Sequence, residues 1–141
     1  MTNLQSILHA SFIVSDLDAS TNFYMQVLGL SINQDRPGLG YPGVWLDVGS
    51  QQVHLMQLPN PDSSEGRPEH GGRDRHVAFS IVDLNELCQR LDKLEISYTL
   101  SKSGRRAMFC RDPDGNALEF IEHPLAEHLP REERTVYEKA T

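Results

Sequence analysis

Apolar and polar positions alternate along this chain, change to a helical spacing, then alternate again, and the whole pattern occurs twice. In ILHASFIV, residues 7–14, Leu8, Ala10, Phe12 and Val14 fall on one face of an extended strand, and His9, Ser11 and Ile13 on the other. RHVAFSIV, residues 75–82, repeats this with Val77, Phe79 and Ile81 against His76, Ala78 and Ser80. A helix is predicted behind each strand. Asp16 and Asp83 stand where an N-cap carboxylate would accept from free first-turn amides, and Glu86 completes a capping-box pattern. The first helix turns Leu17, Phe23, Tyr24, Val27 and Leu28 inward and stops at Gly29. The second carries Leu84, Leu87, Cys88, Leu91 and Leu94 at spacings of three and four, which makes Cys88 a core residue.

Three short strands should follow each helix. In the first half they are LSINQ, GVWLDV and QQVHLMQL; in the second, ISYTL, RAMFCR and NALEFIE. DPDG joins the last pair, since proline fixes φ and glycine admits a positive one. The order βαβββ thus occurs twice, and the phrases beginning at His9 and His76 are offset by 67 residues, about half of the 141. We expect an α+β fold: one domain over residues 1–141, made of a module at 7–58, a linker at 59–74, a module at 75–122 and a tail at 123–141. Pro130, followed by Glu132 and Glu133, predicts a short helix in that tail.

The last strand of each module carries one polar residue between core-facing neighbours: His54 between Val53 and Leu55, and Glu119 between Leu118 and Phe120. His54 follows His9 by 45 residues and Glu119 follows His76 by 43. Equivalent positions of the two modules therefore hold His9 and His54, and His76 and Glu119. Three imidazoles and a carboxylate suit a divalent Zn, Ni, Co, Fe or Mn better than Ca or Mg, provided the two sheets face one another. The net charge of −7 argues against a nucleic-acid partner. No apolar run spans a bilayer, and the start MTNLQSILHA has no signal-peptide character, so a cytoplasmic location is expected. Cys88 and Cys110 form no CxxC pair and read as free thiols. GGRDR at 71–75 reads as a solvated loop, or else as a segment that brings Arg73 or Arg75 to an anionic substrate.

HASFIVSDLDASTNFYMQVLGL, VHLMQL, HVAFSIVDL and DPDGNALEFIE together resemble the glyoxalase/bleomycin-resistance/dioxygenase group, the vicinal oxygen chelate superfamily, over roughly residues 7–122. The resemblance implies two βαβββ modules whose curved mixed sheets form a cup around one divalent metal ion per chain. The ligands it implies are His9, His54, His76 and Glu119. Glu119 would be the catalytic proton carrier, with His54 the second catalytic position. Ser11, Arg73, Arg75 and Phe109 would meet a small-molecule substrate, and a homodimer is expected. The implied activity is a metal-dependent lyase or isomerase acting on a small carbonyl or hydroxy-acid substrate through oxygens held at the metal.

The chain departs from glyoxalase I within that group. His54 replaces a usual Glu, Ile13 a usual Arg for the glutathione carboxylate, and Leu58 a usual Asn. Ala107 and Phe109 stand where fosfomycin-modifying relatives use hydroxyl residues. A true glyoxalase I is therefore not expected. The alternatives are a non-haem iron dioxygenase using a His, His, Glu triad and a non-catalytic drug-binding protein.

Overall fold

In a computed structural model, which describes residues 2–123, the chain forms two four-stranded mixed sheets, each backed by one helix. The first half contains β1 (His9–Val14), α1 (Leu17–Asn22), β2 (Ser31–Asn33), β3 (Gly43–Val48) and β4 (Gln51–Gln57). The second contains β5 (His76–Ile81), α2 (Leu84–Lys93), β6 (Tyr98–Leu100), β7 (Ala107–Arg111) and β8 (Ala117–Glu122). The strand orders are β1-β4-β3-β2 and β5-β8-β7-β6, so the two halves have one topology. β1 runs parallel to β4 and β5 parallel to β8, while the remaining pairs are antiparallel. The sheets are not closed into a barrel.

The caps form as their residue types require. Asp16 accepts from the Ala19 amide at 3.0 Å and Asp83 from the Glu86 amide at 3.0 Å. The Glu86 carboxylate turns to Arg90, four residues on, at 2.6 Å. Three expectations need correction. After Asn22 the first helix widens into a π-helical turn, Phe23–Val27, which buries Phe23, Tyr24 and Val27 together before Gly29 ends it at φ 79°. Leu8 precedes β1 and is 69% exposed, because no element covers it. Leu94 caps α2 instead of joining its apolar stripe and is 51% exposed. The helix predicted in the tail lies outside the described residues.

One core runs under both sheets. Phe12, Val14, Leu46, Val53 and Leu55 of the first meet Phe23, Tyr24 and Val27; Met108, Cys110, Leu118 and Phe120 of the second meet Leu84, Leu87 and Leu91. The halves are tied together on this side. The Tyr24 hydroxyl donates to the Asp112 carboxylate at 2.8 Å, and Arg90 donates to the Val27 carbonyl at 2.8 Å. Asp114 of the DPDG turn accepts from the Ser15 amide at 2.9 Å. Asp112 is 5% exposed; burial raises its carboxyl above the usual range, while donors on Asn116 and Tyr24 oppose that. Burial is also the main reason the Cys110 thiol is pushed up to about 12, so it is an inert core thiol.

Candidate metal centre

The open face of each sheet carries the polar residues singled out by the repeat. The parallel ladder pairs Ser11 with His54 and Ala78 with Glu119. His9 and His76 each sit two residues before those partners on the same face. His54 is thus to His9 as Glu119 is to His76, and the sequence duplication is a duplication of place.

In the first half, three rings stack. His9 and His54 have centroids 4.0 Å apart and planes 14° from parallel; Trp45 covers the far side of His54 at 4.4 Å and 7°. His54 Nε2 lies 2.8 Å from Gln52 Oε1, and Gln52 Nε2 donates in turn to Asp47 at 3.3 Å. The glutamine oxygen therefore accepts a hydrogen bond from His54 Nε2–H, which leaves Nδ1 with its lone pair. Burial lowers the imidazole pKa below its ordinary 6.5, helped by His9 and Arg36, so His54 is neutral at pH 7.

In the second half, His76 Nδ1 lies 2.9 Å from the Asp74 carbonyl, an acceptor only, so Nδ1 carries the proton. His76 Nε2 faces Glu119 Oε2 at 3.3 Å. Glu119 is 4% exposed. Its other oxygen meets Arg105 at 3.3 Å, and Phe109, its neighbour in the β7–β8 ladder, packs edge-on to His76.

The four residues thus form two pairs, one on each sheet. Among the described residues no three His, Cys, Asp or Glu side chains gather where one ion could be held. The donor chemistry fits a divalent ion: one clamped imidazole in each half has a free nitrogen lone pair, and a carboxylate faces the second. For His9 and His54 to hold one ion together, their parallel rings would have to swing apart.

A family model for the glyoxalase/bleomycin resistance protein/dioxygenase superfamily matches residues 6–120. The chain belongs to that superfamily. Its relatives include the metallothiol transferase FosB of Shouchella clausii, 30% identical across 94% of this chain and 90% of that protein. A lactoylglutathione lyase of Haemophilus influenzae is 29% identical across 83% of this chain and 92% of its own. A glyoxalase-family crystal structure from Bacillus anthracis matches the fold with a TM-score of 0.71 at 23% identity, covering 87% of this chain and 98% of that one.

The expected substrate residues separate. Phe109 and Arg73 lie beside His76 and Glu119 in an open basin of about 320 Å³. Ser11 and Arg75 line a different cavity, where Arg75 pairs with Asp62 at 3.0 Å. The segment at 71–75 is not a free loop. Gly71–Arg73 is a 3₁₀ turn seated on the sheet, with buried Gly71 against Ala117 and Phe109. The basin also holds His70, whose place in the linker gave it no weight in the sequence, and Lys102 and Arg105, which the repeat does not single out. His70 rests edge-on against Phe109 and meets Thr99 Oγ1 at 2.7 Å. SKSGRR, with three cations in six residues, was the available signal for the other two. No helix among the described residues is long and apolar enough to cross a membrane.

Proposed function

We propose that the protein is a divalent-metal-dependent lyase or isomerase of the glyoxalase type, acting on a small carbonyl or hydroxy-acid substrate. Its metal centre is completed between two copies of the chain. The observation that carries this reading is the contact of His76 Nε2 with Glu119 Oε2 at 3.3 Å. With Nδ1 committed to a carbonyl, Nε2 is the ring atom turned to a buried carboxylate oxygen, an arrangement in which a nitrogen and an oxygen donor face one point. A divalent cation would take the place of a proton between them and be held by both.

The second half-site, His9 and His54, belongs to the same ligand set but sits on the other sheet. His9 and His54 of one copy would join His76 and Glu119 of the other. Leu4, Ile7 and Leu8, immediately before His9, are 88%, 74% and 69% exposed, which supports a second copy covering this end. When bound, a divalent ion supplies a Lewis acid that polarises a substrate carbonyl. Glu119 then moves a proton between adjacent carbons, with Arg105 on its second oxygen to orient it. His54 adds a neutral donor, and Phe109 closes the floor.

Metal analysis of mixed variants tests this. His9→Ala and His76→Ala should each lose the ion, whereas wild type holds about one per chain. Mixing the two variants should restore metal to about a quarter of the wild-type level, because half of a random mixture is heterodimer with one intact site. No recovery on mixing, with heterodimers present, would refute a shared site. Full metal retention by both variants would refute the centre itself.

A further inference from the structure

The basin beside His76 and Glu119 has a charge unlike that of the molecule. The chain carries a net −7, yet among the described residues lining this depression Arg73, Lys102 and Arg105 stand against one carboxylate, Glu119. Counting imidazoles as neutral, two positive charges stand in excess. Like charges gathered in one concavity repel one another and focus a field that draws in an anion.

The wiring around the basin separates these cations from structural ones. Arg67 and Arg111 are both spent on Asp74, each at 2.8 Å. Arg106 follows Arg105 in sequence but, by strand alternation, turns to the opposite face and pairs with Glu122 at 2.6 Å. Arg73 and Lys102 make no salt bridge with a described residue. Arg105 touches Glu119 and the Ser103 hydroxyl, both beyond 3.1 Å, with a side chain 59% exposed. These contacts use Nε and Nη2, and Nη1 has no partner among the described residues, so Arg105 can offer that nitrogen to an arriving anion while keeping Glu119. Ser101 and Ser103, bonded to each other at 2.8 Å, place two hydroxyls at the same mouth.

We propose that this basin receives an oxyanion group of the substrate, a carboxylate or a phosphoryl group, through Arg73, Lys102 and Arg105. Arg105 is the specificity-determining residue, because it alone reaches both the anion's position and Glu119. The proposal rests on reading His76 and Glu119 as the reacting half-site, and it narrows the substrate to a small molecule with an anionic end near the carbon that exchanges a proton. A volume of about 320 Å³ suits a compound of that size.

The test is calorimetric titration of the metal-free protein with inorganic phosphate and, separately, with malonate. At least one should saturate at millimolar concentration, and the tighter of the two identifies the class. The Arg73→Ala, Lys102→Ala, Arg105→Ala triple variant should weaken it about tenfold or more, and Arg105→Ala alone should account for much of that. Lys93→Ala, which removes an exposed cation at the end of α2 outside the basin, should bind like wild type. Failure of both anions to saturate by about 10 mM, or equal affinity in the triple variant and wild type, overturns the proposal. Because no metal is present, anion binding survives a failure of the metal reading, and the two outcomes remain distinguishable.

Discussion

Asp74 shows how one side chain makes a linker into a wall. Its carboxylate accepts two bonds from Arg67, at 2.8 and 2.9 Å, and one from Arg111 at 2.8 Å, just before the strand that begins with His76. The Arg67 guanidinium, seconded by Arg111, depresses its pKa from the usual 3.8 to about 2. A carboxylate with a lowered folded-state pKa gives stability that is complete above its unfolded value and lost as pH falls. That loss should develop from pH 3.8 down to about 2. Asp74→Asn should cost about 1–3 kcal/mol at neutral pH by leaving two guanidinium groups without a counter-charge. It should also flatten the acid limb of a plot of urea midpoint against pH. Glu122 is likewise depressed, by Arg106, and contributes equally to both proteins, so the difference between them isolates Asp74. Parallel acid limbs would show that Asp74 is no anchor.

At the scale of elements, what the sequence disclosed followed from periodicity. Alternation located every strand within one or two residues, and the two N-caps are where Asp16 and Asp83 predicted them. The equivalence of His9–His54 with His76–Glu119 was legible because a duplication preserves register. The π-helical turn was not, since Phe23, Tyr24 and Val27 fit an ordinary helix equally well on paper. Of the two readings of the linker's GGRDR end, the solvated loop gives way to a 3₁₀ turn on the sheet, for a related reason. The linker's glycines, prolines and charges signal irregular backbone, but they do not reveal that Gly71 permits close approach to the sheet. A Cβ at Gly71 would meet Ala117 and Phe109 carbons at 3.3 Å. Gly71→Ala should therefore lift the turn and destabilise the fold by about 1–3 kcal/mol. Gly38→Ala, where nothing lies within 4 Å, should be neutral or slightly stabilising. Equal denaturation midpoints for the two variants would mean that the turn does not bear on Phe109.

At the scale of the molecule, ligand positions and substrate positions are separate questions. The superfamily frame supplies two sheets, each carrying one candidate donor pair, but selectivity depends on what else lines the open faces. Ile13, on the same face of β1 as His9 and Ser11, lines a cavity at the position where the glyoxalase I resemblance calls for an arginine. Leu58, just past β4, stands where an amide is expected. A glutathione carboxylate brought against Ile13 would lose water without gaining a partner, and such losses typically cost a few kcal/mol each. Each 1.4 kcal/mol is a factor of ten. His54 compounds the effect, because its Nε2 proton is engaged by Gln52, so the ring has no second basic nitrogen for proton transfer once Nδ1 binds metal. The cations lie instead on the other sheet, around Arg105, at the end of the site that holds Glu119. Isomerisation of the methylglyoxal–glutathione hemithioacetal, assayed with Ni, Co, Zn and Mn in turn, should therefore stay well below about 10⁴ M⁻¹s⁻¹ in kcat/KM even at metal saturation. An efficiency within the range of about 10⁴–10⁸ M⁻¹s⁻¹ usual for enzymes on their own substrates would show that Ile13, Leu58 and His54 do not obstruct glutathione and that this chain is a true glyoxalase I.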